Sequence, residues 1–271
     1  MILVADGTGR LGSRVVKLLT DAGEQVRVVT RDPRRTSQLP AGVLVVVGDV
    51  RRGQLDMAVE GCDRVVSAVQ GFGGSGRTRP AAVDRDGNRN LIAAAKRAGV
   101  DRFVLLSIVG ASSVHPMSLH RMKYAAEKEL RASDLTATIV RSTSFLETWI
   151  EIIGAKIDDG GPALVFGPGQ NPINFVSVDD VAAFVRLAVH ADQRIGAGVS
   201  VGGPQNLGFI EIAAHLLARK GPHRPAETGP ADRPEGHVRD CTTTATGLRT
   251  PGQGGRRDEH HRHDIRRATD P

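Results

Sequence analysis

The run Ile2-Leu3-Val4-Ala5 followed by Asp6-Gly7-Thr8-Gly9-Arg10-Leu11-Gly12 restricts this chain to few folds. A short apolar strand breaks at a turn spaced Gly-x-Gly-x-x-Gly and then enters an amphipathic segment, Arg14 to Ala22. Glycine lets such a turn take positive φ and lets the backbone approach a bound group closely. The free N–H groups at the start of the following helix attract anions. Placed after a strand and before a helix, the turn is how a dinucleotide-binding fold begins, and Gly7, Thr8, Gly9, Arg10, Leu11 and Gly12 are its candidate contacts.

The next strand, Gln25 to Thr30, ends at Arg31-Asp32-Pro33-Arg34-Arg35. In a dinucleotide fold this strand end meets the adenosine ribose. An acidic residue there accepts hydrogen bonds from the ribose hydroxyls, whereas arginine neutralises a 2′-phosphate. Arg31 occupies the informative place and favours NADP(H) over NAD(H), with Asp32 as the minor argument for the other cofactor.

Further apolar runs follow at Val43 to Val47, Asp63 to Val69, Arg102 to Ser107 and Thr136 to Arg141. Runs of this kind read as strands covered on both faces. Helical patterns lie between them, over about Val83 to Ala98 with Gly99 as the stop, and over Met122 to Ser133, while Gln54 to Glu60 is long enough for a crossover. Alternating strands and helices imply right-handed βαβ units, hence an α/β fold with a doubly wound parallel sheet of the Rossmann type. Residues 1–141 form the dinucleotide-binding core in this reading.

Residues 142–220 loosen into shorter pieces: a helix near Phe145 to Ala155, turns at Gly160-Gly161-Pro162 and Gly167-Pro168-Gly169, and a helix over Val181 to His190 capped by Ser177 or Asp179. This smaller region completes the domain and supplies a substrate lid. Past Gly221 the large aliphatic residues thin to Val238, Leu248 and Ile265, so residues 221–271 are expected to be a disordered tail. A shifted reading frame in a GC-rich gene would give such an ending. The cluster His260-His261-Arg262-His263-Asp264 lies in that tail and is not read as a metal site.

Composition narrows the function. The net charge of +6 is spread along the chain with acids interleaved, and one Trp and one Tyr leave little to stack on bases, so no nucleic-acid partner is expected. Two cysteines give neither a disulfide framework nor a four-cysteine metal site. A chain opening on a core strand, without a signal segment or an apolar stretch of roughly 20 residues, is expected in the cytoplasm with no membrane partner.

The motifs Arg31-Asp32-Pro33, Gly48-Asp49-Val50, Asp84 to Ala95, Ala98 to Val104, Lys123 to Glu127 and Asn174 to Ala182 stand in order along the chain. As a set they resemble the NmrA-like group of atypical short-chain dehydrogenases/reductases over roughly Met1 to Lys220. The resemblance implies that Gly9, Arg10, Leu11 and Gly12 cradle the pyrophosphate and that Arg31 and Arg35 meet the 2′-phosphate. It sets Asp49 and Val50 by the adenine and Ala68, Val69 and Gln70 by the nicotinamide ribose. It also has Lys123 holding that ribose or helping proton transfer, and Ser107 in the catalytic serine place.

Two departures stand out. The first turn glycine of the group falls where this chain has Asp6. The tyrosine of a Tyr-x-x-x-Lys pair with Lys123 falls at Leu119, which carries no proton, and Tyr124 lies one step out of register. The implied function is an NADPH-dependent reductase of a small carbonyl or quinone-like substrate. The alternative is a non-catalytic NADP(H)-sensing regulatory protein that binds a protein partner.

Overall fold

The computed structural model describes residues 1–155, 157, 161–191 and 198–220. The tail and its histidine cluster lie outside the described residues.

The chain opens with β1 (Ile2–Ala5), α1 (Arg10–Asp21), β2 (Val26–Thr30), β3 (Leu44–Val47), a short α2 (Asp56–Val59) and β4 (Arg64–Ser67). It continues through α3 (Asn88–Arg97), β5 (Arg102–Ile108), α4 (Ser118–Arg131) and β6 (Thr136–Ser142). These strands and β9 (Val199–Val201) form one seven-stranded sheet in the order β3-β2-β1-β4-β5-β6-β9, with every neighbouring pair parallel. The order reverses between β1 and β4, the switch point at which doubly wound sheets open a crevice beyond their strand ends. The Rossmann-like α/β expectation is met.

Both faces of the sheet are covered. On one side α1 and α6 (Val178–His190) bring Val15, Val16, Leu19, Val181, Val185 and Val189 against Val4, Val28 and Val104. On the other, α2, α3 and α4 pack Val59, Leu91, Ile92, Ala95, Ala126 and Leu130 against Leu3, Val65, Phe103 and Leu105. Continuous β-branched runs suit strands buried on both sides, and the alanines let α3 lie close.

The third apolar run departs from its expected burial. Leu44, Val45 and Val47 of β3 are 49%, 40% and 65% exposed, because the link from β2 is a 3₁₀ turn (Pro33–Gln38) rather than a covering helix. A second difference concerns the helix expected from about Val83. Its first part, Ala81–Gly87, is π-helical and runs directly into α3, so it starts earlier than its apolar pattern implies.

Within residues 142–220, α6 and β9 extend the main domain. The remaining elements, β7 (Ser144–Phe145), α5 (Leu146–Gly154), β8 (Ile173–Val176), β10 (Asn206–Leu207) and α7 (Phe209–Lys220), form a small three-stranded sheet with two helices. They enclose their own core of Ile153, Ile157, Val165, Phe175, Ile212 and Ala213. The Ser177 hydroxyl caps α6 by accepting from the Asp179 amide at 3.1 Å. No helix of the described residues is long and apolar enough to cross a membrane.

Candidate functional site

The turn after β1 closes on itself. Asp6 takes φ of 62°, a left-handed conformation that glycine adopts without strain, and its carbonyl accepts from the Gly9 amide at 2.9 Å. A Cβ on Gly12 would overlap that carbonyl, and one on Gly9 would overlap the Asp6 carboxylate. Gly12 is therefore required by close approach of backbone, whereas a side chain at Gly9 would have to displace the Asp6 carboxylate. Gly9 is the N-cap of α1 and no side chain caps the helix, so its first N–H groups, through Arg10, Leu11 and Gly12, remain for an anionic group. The Arg10 side chain instead reaches α5, where its guanidinium forms a two-pronged ion pair with Glu151, Nη1 to Oε1 at 2.7 Å.

Beyond the strand ends lies a cavity of about 360 Å³. Of the expected contacts, Thr8, Arg31, Arg35, Asp49, Val50, Val69 and Gln70 line it. Gly7, Gly9, Arg10, Leu11, Gly12, Ala68, Ser107 and Lys123 do not; the first five build the turn beside it, and Ala68 is buried behind it. Asp6, Val29, Thr30, Asp32, Gly48, Arg51, Thr78 and Val83 complete the wall; of these, Arg51 and Thr78 belong to no motif read from the sequence.

Charges at the β2–β3 end are arranged locally. Arg34 takes the Asp32 carboxylate, Nε to Oδ1 and Nη2 to Oδ2 both at 2.9 Å, and Asp32 also caps the 3₁₀ turn through the Arg34 amide. That engagement holds the Asp32 carboxyl below its ordinary range. Arg35 donates to the Thr8 carbonyl at 3.1 Å, and Arg31 has no hydrogen bond or ion pair among the described residues. Asp49 is gripped by Arg51, which lowers its carboxyl, and Arg51 also donates to the Arg77 carbonyl at 2.7 Å. Asp6 behaves differently. Burial pushes its carboxyl up to about 6 against the pull of Arg35, Arg31 and Lys123.

At the β4 end the contacts are long-range and buried. Lys123, on α4, donates to the carbonyls of Val69 at 2.8 Å and Leu106 at 3.0 Å, and its ammonium lies 3.0 Å from Asp84 Oδ1. The ammonium thus donates to two carbonyls and is paired by charge with Asp84, whose Oδ1 accepts no hydrogen bond. Asp84, fully buried in the π-helical turn, accepts the Gly71 amide at 2.9 Å through its other oxygen. Asn88 donates to the Asp84 carbonyl at 2.6 Å and accepts from the Ser67 hydroxyl at 2.6 Å. Sequence reading placed Lys123 here and missed Asp84, although Asp84 opens one of the motifs quoted above.

Ser107 turns elsewhere, donating to Glu127 at 2.6 Å. Glu127 is fully buried. Burial alone would raise its carboxyl, but hydrogen bonds from Arg141, Ser107 and Arg131 hold it below the usual range. Leu119 is 6% exposed, and half-buried Tyr124 does not line the cavity. Among the described residues no three His, Cys, Asp or Glu side chains gather to hold a metal ion.

A family model described as NAD(P)H-binding matches residues 7–192. The chain is 30% identical over 223 residues to an NAD(P)H azoreductase of Xenophilus azovorans, covering 82% of this chain and 74% of the relative. It is 31% identical over 214 residues to the photosystem II assembly factor Ycf39 of Synechocystis, spanning 65% of that relative's length and 78% of its own. Among solved structures, the NADPH-dependent quinone oxidoreductase QOR2 of Escherichia coli, complexed with NADPH, superimposes with a TM-score of 0.68 at 24% identity. The match covers 82% of this chain and 76% of that one, and at this identity it speaks for the fold alone. With a glycine turn leading into an uncapped helix, a cavity at the switch point and a family model matching residues 7–192, the chain belongs to the NmrA-like, NAD(P)H-binding family of Rossmann-fold proteins.

Proposed function

We propose that the protein is an NADPH-dependent reductase of a small carbonyl- or quinone-type acceptor. The observation that carries this reading is the β2–β3 end of the cavity, where Arg31 and Arg35 stand in the wall while Arg34 occupies the Asp32 carboxylate. Two guanidinium groups suit a 2′-phosphate, and the acid best placed to grip an unphosphorylated ribose is already engaged.

The rest of the lining fits a dinucleotide. The uncapped start of α1, at Gly9 to Gly12, suits the pyrophosphate, Asp49 and Val50 suit the adenine side, and Ala68, Val69 and Gln70 suit the nicotinamide ribose. Asp6 sets a carboxyl within the phosphate turn itself. Lys123 serves first as a positioning residue, since with Asp84 it holds the backbone from Val69 to Gly71; contact with a ribose hydroxyl means exchanging one of its three partners. Ser107 acts through Glu127 on the seating of α4. NADPH supplies a hydride when bound, and a quinone takes it with one proton from water to give hydroquinone and NADP⁺. Solvent as the proton source suits a chain with Leu119 at the tyrosine place. A relative named as an azoreductase supports a reductase.

Parallel titration with NADPH and NADH, followed by nicotinamide fluorescence, tests the cofactor half. Tighter NADPH binding is expected, and equal or reversed affinities would remove the arginine assignment. Acceptor-dependent oxidation of NADPH tests the reductase half.

The second reading, an NADP(H)-sensing regulator that binds a protein partner, is favoured by Leu119 and by the fully engaged Lys123. NADPH binding without turnover on quinones or aldehydes would favour it.

A further inference from the structure

Aromatic residues are scarce in this chain, yet they are not scattered. Of seven Phe and one Trp, Phe72, Phe166, Phe175, Phe209 and Trp149 form one linked set. It rises from buried Phe175 on β8 through Phe209 at the start of α7, whose ring centre lies 4.6 Å from that of Trp149 on α5. At the top, Phe72 and Phe166 stand at 60° and 82° to the indole, with centroids at 6.3 and 5.8 Å. These two rings are 43% and 44% exposed. Trp149 and Phe209 pack α5 and α7 together, while Phe72 and Phe166 beside them also present ring surface to solvent.

Its place follows from the chain. Phe72 comes two residues after Gln70, which lines the cavity, and Gly71 between them is fixed by Asp84. Trp149 lies on α5, which the Arg10–Glu151 ion pair ties to the start of α1. Phe72 therefore stands just outside the β4 end of the cavity, with Trp149 and then Phe166 in contact beyond it.

We infer that Phe72, Trp149 and Phe166 form a stacking site for a planar conjugated acceptor of about two fused rings, and that the protein prefers such acceptors to saturated carbonyl compounds. Rings inclined at 60° and 82° to the indole offer an entering flat ring both a face and an edge, the arrangements aromatic pairs favour. The inference rests on the reductase reading for what the site does, though not for whether it binds.

Trp149 is the chain's one tryptophan, so indole emission reports this site alone. The full chain, without cofactor, is titrated with 1,4-naphthoquinone and with a decalone of similar size. Free tryptophan amide serves as the control for collisional quenching and absorption. Saturable quenching by naphthoquinone is expected, with decalone binding at least about 5-fold weaker and Phe72→Leu and Phe166→Leu each weakening naphthoquinone by about 5-fold. Leucine at these exposed positions leaves the fold in place, which a thermal melt checks. Quenching no different from the free amide, or unchanged in both variants, overturns the inference. NADPH titration in parallel keeps the two readings apart: NADPH binding without naphthoquinone binding sinks the stacking site alone, and naphthoquinone binding without NADPH binding sinks the reductase alone.

Discussion

The two ends of the cavity are held by different kinds of contact. At the β2–β3 end, charged side chains sit on turns and pair with neighbours two residues away, Asp32 with Arg34 and Asp49 with Arg51. At the β4 end, Lys123, Asp84, Gly71 and Leu106 come from four separate segments and meet out of contact with water. Asp32–Arg34 is screened by solvent and Asp49–Arg51 is a local pair within one turn, so neither ties distant segments together, whereas halving a buried pair costs about 3–5 kcal/mol. Charges at one end can change with little disturbance to the fold; the other end is part of the fold.

Removing Asp84 tests this most severely. Asp84→Ala leaves the Lys123 ammonium buried with two carbonyls and no counter-charge, and about 3–5 kcal/mol of stability should disappear in a denaturant melt. A wild-type midpoint would mean that the pair is not what holds this end. Arg31→Ala should act in the opposite sense, sparing stability while weakening NADPH by about 10- to 100-fold, the loss of one charged hydrogen-bonding partner at about 1.5–3 kcal/mol. NADH affinity should stay within about 2-fold; an equal fall for both cofactors would take Arg31 off the 2′-phosphate.

Asp6 lies between the two regimes, and its effect depends on pH. Its folded carboxyl titrates near 6, above the ordinary 3.8, so it favours folding fully below the ordinary value and this contribution is lost as pH rises through 6. Asp6→Asn should therefore stabilise the protein at pH 7 to 8, on the order of 1 kcal/mol, and by less at pH 4. In the same window the wild-type carboxyl becomes charged beside the phosphate turn, so NADP⁺ affinity should fall more steeply with rising pH than in the variant. Parallel slopes in isothermal titrations would remove Asp6 from the phosphate environment. The smallest change belongs to Asp32→Ala, which loses an exposed turn cap: Tm should move by no more than about 2 °C, with NADPH affinity unchanged.

What could be read from the chain alone follows the same division. The glycine turn, the strand runs and Arg31, Arg35, Asp49 and Val50 depend on residues close together in sequence, and the cavity wall includes all four of those side chains. The exposed edge at β3 could not be read, because Leu44 to Val47 are as apolar as a covered strand and only the missing helix beside them exposes them. Strand β9 is three residues long and joins the sheet through partners on β6 nearly sixty positions away, which no local pattern announces. Asp84 looks like a surface acid on an amphipathic helix; its burial follows from Gly71 and Lys123, thirteen residues before it and far beyond it. The ring cluster likewise draws on loops and helices spread over more than a hundred residues.

The π-helical turn at Ala81–Gly87 makes the β4 end sensitive to chain length as well as to chemistry. A π turn carries one residue more than the α-helix around it. Deleting a single residue there would let the segment relax to regular helix and swing Asp84 by about 100 degrees relative to α3. Every side chain of the tie would survive such a deletion, yet the Gly71 amide should lose its protection from hydrogen exchange. A one-residue change in length would thus release the loop after β4, from Val69 to Phe72, as a unit.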